Sequence, residues 1–248
     1  VSSLPVVGLV VYFFFGRNQK KHRLINKTCA IQLARRSAYR YFRTQIPDIP
    51  EEHKQLINLF RRQSMAFPYP GNQVNLFTCG TDFLSVLLQD IRRAHHHIHL
   101  EFYIWEDDRV GNIVLQELAL KVEQGVKVRV IVDDVGCWKV KTAFFDKMTK
   151  AGIEVAVFMP VRFPKLTSKV NFRNHRKIVV IDGTVGFMGG MNLADRYFYS
   201  RKKQQAWRDS HIRIEGSAVA GLQRAFLADW YVACEELIDD ACYYPTEN

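Results

Sequence analysis

Hydrophobic positions along this 248-residue chain switch repeatedly between a spacing of two and a spacing near 3.6, the marks of strand and helix. Residues 72–76 form a short strand candidate. Thr81 or Asp82 can cap a helix running to about 94, and 98–105, rich in aromatic and branched side chains, predicts a strand. Residues 111–124 have helical periodicity and stop at Gly125. The branched run 126–132 reads as a strand buried on both faces. A helix over 141–151, closed by Gly152, and a strand over 153–158 follow. Branched residues 178–181, then Asp182-Gly183 and another apolar run, predict a tight β-hairpin. A helix over 217–234 closes the unit, offering Ala220, Phe226, Leu227 and Trp230 as an inner face. Strand and helix in alternation imply an α/β layer structure whose sheet is at least partly parallel. No internal repeat or low-complexity tract interrupts it.

The N-terminal part is different in kind. Residues 4–15 carry no charge, and Arg17, Lys20, Lys21 and Arg23 follow directly. Twelve helical residues span about 18 Å, short of the roughly 30 Å hydrocarbon core. Positive charges after the apolar run argue against a secretory signal and agree with the cytoplasmic end of a cut membrane span. A buried N-terminal segment is the alternative. Between Arg17 and Arg62, twelve Lys or Arg face three acids, so this stretch holds +9 of the chain's net +10. The 186 residues from Gln63 onward are therefore nearly neutral, unlike a uniformly basic nucleic-acid binder. Basic residues beside a span are attracted to anionic lipid at about 1 kcal/mol each. From 47 to 70, prolines and mixed polarity predict a connection into the compact domain. The expected division is thus 1–16 as the end of a transmembrane helix, 17–70 as a basic juxtamembrane segment and linker, and 71–248 as one compact lobe.

Composition excludes a disordered tail and a small disulfide-stapled module. With 48% hydrophobic and 24% charged residues the chain is no disordered tail. Its five cysteines, Cys29, Cys79, Cys137, Cys234 and Cys242, are odd in number, widely spaced and without a C-x-x-C pair, so they predict reduced, mostly buried thiols.

Chemistry concentrates in 174–192. On a strand, His175 and Lys177 point the same way, about 7 Å apart, while Arg176 points to the other side. An imidazole beside an ammonium suits a phosphate ester: Lys177 neutralises its oxygens, and the neutral ring nitrogen can attack phosphorus. Gly189 and Gly190 allow close backbone approach, with amide donors and the Asn192 side chain able to reach the same anion.

His175-x-Lys177-x4-Asp182, followed by Gly189-Gly190-x-Asn192, matches the signature of the phospholipase D superfamily, and the chain closely resembles bacterial cardiolipin synthases along almost its whole length. Supporting stretches are the apolar leader ending Phe-Gly-Arg-Asn, residues 128–136 and the run 207–216. The resemblance implies phospholipase D-like α/β/α layers around a mixed sheet, and a phosphohistidine on His175 or its partner. Lys177 and Asn192 would hold the phosphate. Asp209 resembles the acid that receives the proton on the other nitrogen of the nucleophilic ring, selecting its tautomer and stabilising the imidazolium. Asp182 completes the signature, but its Asp-Gly turn assigns it mainly to loop geometry.

One departure matters. The family brings two such motifs together, one ring attacking and the other protonating the leaving alcohol, and this chain has one. None of His22, His53, His95, His96, His97, His99 or His211 belongs to a second. The resemblance therefore implies the N-terminal half of an active site, completed by a second lobe or a second copy. It implies transfer of a phosphatidyl group between two phosphatidylglycerol molecules with release of glycerol, at the cytoplasmic side of the cell membrane. No metal, other cofactor or nucleic-acid partner is expected. The alternatives are a dimeric nuclease or phosphodiesterase of the same superfamily, and a non-catalytic lobe binding anionic lipid.

Other groups have plainer readings. His95, His97 and His99 alternate, but no acid or cysteine is spaced to complete a metal site. Asp107, Asp108, Asp133 and Asp134 read as turn formers at strand ends. Tyr197, Phe198 and Tyr199 beside Arg201, Lys202 and Lys203 predict either a membrane-touching loop or an ordinary exposed turn.

Overall fold

The computed structural model describes residues 50–64, 68–160, 173–199 and 206–244. The elements in chain order are α1 (Glu51–Ser64), β1 (Gln73–Phe77), α2 (Gly80–Arg93), β2 (His97–Phe102), α3 (Arg109–Glu123), β3 (Lys127–Asp133), α4 (Thr142–Lys150), β4 (Glu154–Phe158), β5 (Lys177–Ile181), β6 (Val185–Gly189), β7 (His211–Glu215) and α5 (Val219–Cys234). Short 3-10 turns occupy Asp195–Tyr197 and Ala241–Tyr243.

One mixed sheet, ordered β1-β7-β6-β5-β2-β3-β4, carries the described strands. Strands β2, β3 and β4 run parallel, joined by helices α3 and α4, as the alternating pattern requires. Strand β5 enters antiparallel to β2, setting Phe102 against Lys177 and Ile98 against Ile181. Strands β6, β7 and β1 continue antiparallel to the edge. The α/β class with a mixed sheet is therefore present.

Alternation along the strands sorts the core into two layers. Leu100, Val130, Val132, Val179 and Phe187 join residues of α2, α3 and α4. Ile131, Ala156 and Phe158 join Phe226, Leu227 and Trp230 of α5, and Ile178, Val180 and Ile214 meet Val219 and Leu222 of the same helix. Each fully buried aliphatic or aromatic side chain contributes about 1.5–3 kcal/mol. The same period sends Lys177 to the α2–α4 side and the residues one step away to the α5 side. A slip of one residue in β5 would exchange them.

Register is held at the far end of β5. Asp182 and Gly183 have φ of 53° and 70°, left-handed conformations at the centre of a tight turn in which the Thr184 N–H donates to the Ile181 carbonyl at 3.1 Å and Ile181 pairs with Val185. The Asp182 carboxylate accepts the backbone N–H groups of His95, His96 and His97 at 2.8, 2.8 and 2.9 Å. This one side chain thus ties the hairpin to the start of β2.

Several expectations change. Residues 51–64, expected as part of a linker, form α1. Glu51 and Glu52 in its first turn and Arg61 and Arg62 in its last suit the helix dipole, and Leu56, Leu59 and Phe60 share one exposed face. The flanking prolines hid this short amphipathic pattern. Cys137 is buried, but Cys79, Cys234 and Cys242 are exposed, because they sit at element ends and not in the core. Tyr197 and Phe198 belong to the core and to no exposed loop. Phe198 stacks on Phe83 with ring centroids 6.2 Å apart, and the Tyr197 hydroxyl accepts from Asn192. The expected membrane segment 1–16, most of the basic stretch 17–62, Cys29 and residues 201–203 lie outside the described residues. Among the described residues no helix is long and apolar enough to cross a membrane.

Replacing Asp182 by alanine strips three backbone donors of their acceptor. A loss of about 2 kcal/mol is expected, read as an earlier urea midpoint at unchanged slope. Asp182→Asn, which keeps one carbonyl acceptor, should lose less.

Candidate active site

The sheet presents its chemistry where β5 begins and β2 and β3 end. Residues 173–176 lead into β5, and His175 is exposed there while Lys177 is 2% exposed. The Lys177 ammonium donates to the His175 carbonyl oxygen at 2.7 Å and to His175 Nδ1 at 3.1 Å. The Tyr103 ring backs both groups, its centroid 4.6 Å from that of His175 and 5.3 Å from Lys177 Nζ. The two side chains share one face, as their spacing implies, and the imidazole is open to solvent.

Electrostatics favour a neutral ring beside a charged amine. Burial, and then the Lys177 charge, lower the His175 pKa; Asp133 and Asp209 oppose them. Burial also lowers Lys177 from its usual 10.5 to about 8, with Asp209 and Glu101 opposing. At pH 7 the lysine remains mostly charged. Since an ammonium can only donate, His175 Nδ1 accepts from it, and the neutral ring carries its proton on Nε2.

The other expected residues occupy different places. Asp209 is near enough to act electrostatically on both His175 and Lys177, but it makes no hydrogen bond to the ring; its Oδ1 accepts the Ser210 N–H at 2.7 Å. Gly190 is where this carboxylate packs: a Cβ built there would lie 1.9 Å from Asp209 Oδ1. The Gly190 amide, expected to meet the anion, instead donates to the Ser210 carbonyl at 2.8 Å. Gly189 ends β6 opposite His211. Asn192 is buried, with Oδ1 accepting the Ile104 N–H at 3.0 Å and Nδ2 donating to Tyr197 at 2.8 Å. In this arrangement it braces the loop after β2. Asp182, a strand's length of about 16 Å from Lys177, is a turn anchor and no part of this cluster.

Further residues, not singled out by the motif, complete the cluster. Asn174, immediately before His175, donates through Nδ2 to Glu101 and, at 2.9 Å, to Asp229. Arg176, immediately after it, pairs with Asp229 on the α5 side. Tyr103 is the aromatic wall. His211 lies fully buried, stacked on Phe83 at 4.1 Å, with both ring nitrogens unpartnered among the described residues; burial and then the Lys177 charge push its pKa down to about 3. An acid interrupting a buried strand (Glu101) and another in an apolar helix (Asp229) were signals present in the sequence. The turn-forming reading of two acids agrees with their contacts: Asp108 caps α3, and Asp133 accepts the Val135 and Gly136 N–H groups. Asp133 also receives the Asn174 N–H at 3.4 Å.

His97 and His99 share a buried face, and their nitrogens belong to a chain through Gln223 to Arg129, which also reaches Tyr243. His95 lies outside it on the surface. Among the described residues no group of acids, histidines and cysteines is arranged to hold a metal ion.

Residues 87–230, a span including this whole cluster, match the family described as cardiolipin synthase, PLD-like domain. The chain belongs to that family. Curated relatives named cardiolipin synthase include those of Geobacillus sp., 38% identical over 93% of this chain, and Geobacillus kaustophilus, 39% identical over 93%. That of Oceanobacillus iheyensis is 36% identical over 98%. The chain spans about half the length of these relatives, 47%, 47% and 52% respectively.

Keeping an ammonium buried at Lys177 works against folding. With the folded pKa near 8 and the usual value 10.5, the unfolded chain holds more protons between those limits, so this group's contribution to stability rises with pH across that window. Lys177→Met should therefore melt about 2–4 °C above the parent at pH 7, the gap narrowing toward pH 10.5. Differential scanning calorimetry at the two pH values checks this.

Proposed function

We propose that this chain is one catalytic lobe of a two-motif phosphatidyltransferase that makes cardiolipin from phosphatidylglycerol. The observation that carries the reading is the neutral His175 ring, open to solvent and 3.1 Å from a largely buried lysine ammonium, in a chain of this family.

Lys177 and the ring occupy complementary roles. A phosphodiester oxygen takes the Lys177 donor that now reaches Nδ1, which leaves the ring to act on phosphorus or on the departing oxygen. A nitrogen–phosphorus bond forms as the bond from phosphorus to the glycerol headgroup oxygen breaks, and a second imidazole protonates the leaving alkoxide. The hydroxyl of another phosphatidylglycerol then attacks the phosphohistidine, returning its proton to that second ring and restoring the first. Dividing the reaction in two lets one pocket serve both alcohols in turn. Asp209, beside both groups, offsets the positive charge that builds on the imidazole.

The second imidazole comes from the other half of the full-length enzyme, a reading supported by the length of the relatives. Residues 1–16 would anchor the lobe in the cell membrane, and the basic stretch to Arg62 would hold it on the cytoplasmic face against anionic lipid. This reading needs no metal, because Lys177 already brings positive charge to the phosphate.

With phosphatidylglycerol as substrate, full-length His175→Ala should lose about 1,000-fold or more in turnover, measured as cardiolipin formed. Substantial residual transfer would contradict the assignment. In the parent enzyme kcat/KM should fall above about pH 8, as Lys177 loses its proton and its hold on the anion.

A further inference from the structure

Glu101 lies on β2 and Asp229 on α5, in the layer opposite Lys177, and both are buried. Between them sit the side chains that flank the candidate nucleophile. The two Asn174 Nδ2 hydrogens go to Glu101 Oε1 and Asp229 Oδ2, while Asn174 Oδ1 accepts the Arg176 N–H at 3.2 Å. Arg176 Nη1 donates to Asp229. His175 is thus clamped from behind on both sides, which aims its ring toward Lys177.

Two carboxylates and one guanidinium meet here, and the hydrogen-bond count does not close if both acids are ionised. Glu101 Oε2 is buried and has no donor among the described residues. A bare anionic oxygen in that position is costly, and the strand supplies no cation directly to it. As a carboxylic acid, Oε2 becomes a donor, with the adjacent Asp229 as its acceptor. Burial, then the Asp229 charge, raise Glu101 well above the ordinary carboxyl range, whereas Arg176 and Asn174 oppose the shift. Asp229 remains the charged partner of Arg176.

We propose that Glu101 and Asp229 form a carboxylic acid–carboxylate pair holding a single proton, and that this pair positions His175 by gripping Asn174 and Arg176. They are positioning residues, since neither touches the reacting atoms. The inference rests on the proposed role of His175.

The variants separate charge from shape. Glutamine at 101 can donate to Asp229 and accept from Asn174, as the neutral acid does. In the full-length enzyme Glu101→Gln should keep kcat within about threefold of the parent. Glu101→Ala and Asp229→Asn should each lower kcat tenfold or more, with KM for phosphatidylglycerol little changed. Infrared difference spectra at pH 7 between the parent and Glu101→Gln should show a protonated carboxyl stretch present in the parent and absent in the variant. The inference is overturned if that band is missing, or if Glu101→Gln is as impaired as Glu101→Ala. Failure of the parent enzyme to transfer phosphatidyl groups would count against the proposed function instead, and the infrared comparison would still decide whether the proton is shared.

Discussion

A lysine ammonium held out of water beside a neutral imidazole is the arrangement on which the rest depends. Burial makes the Lys177 charge unwelcome, and a folded protein keeps such a charge only where neighbouring groups compensate it. Here they are the His175 carbonyl and Nδ1, the face of Tyr103 and the nearby charge of Asp209. None is a full counter-ion in contact. On the proposed reading a phosphodiester anion would supply what is lacking, and the site would be polarised toward it in advance.

The sheet makes that arrangement possible by keeping two layers apart. Period-two alternation turns Lys177 toward α2–α4 and Arg176 toward Asp229 on α5, while the hairpin turn and the three amides on Asp182 prevent a slip that would reverse them. Antiparallel entry of β5 beside β2 puts Phe102 opposite Lys177 and brings Tyr103 under the histidine. One end of the sheet therefore carries an open ring above a buried amine. The other end carries the turn that fixes their register.

Local order was legible in the sequence and long-range pairing was not. The hairpin, the same-side placement of His175 and Lys177 and the opposite placement of Arg176 follow from short spacings, and so does the turn role of Asp182. The helices and strands expected between 72 and 234 lie within three residues of their observed bounds, helped by glycine stops after α3 and α4, whereas α1 is hidden by its flanking prolines. Glu101 and Asp229 escaped notice because they lie 128 positions apart and meet only once β2 and α5 pack on each other. Local spacing puts the Gly190 amide and the Asn192 side chain on the anion, yet in the fold these groups are engaged with Tyr197, Ile104 and Ser210. Those partners depend on how β6, β7 and the loop after β2 converge. Tyr197 and Phe198 look like surface aromatics beside a basic run, and only their burial against Asn192 and Phe83 respectively shows that they are core.

The most direct test is heteronuclear magnetic resonance of the full-length protein, with labelled histidine and lysine side chains followed across pH. His175 should carry its neutral proton on Nε2, and Lys177 should titrate with a midpoint near pH 8. A Lys177 midpoint at the usual 10.5, or a neutral ring protonated on Nδ1, would contradict this arrangement.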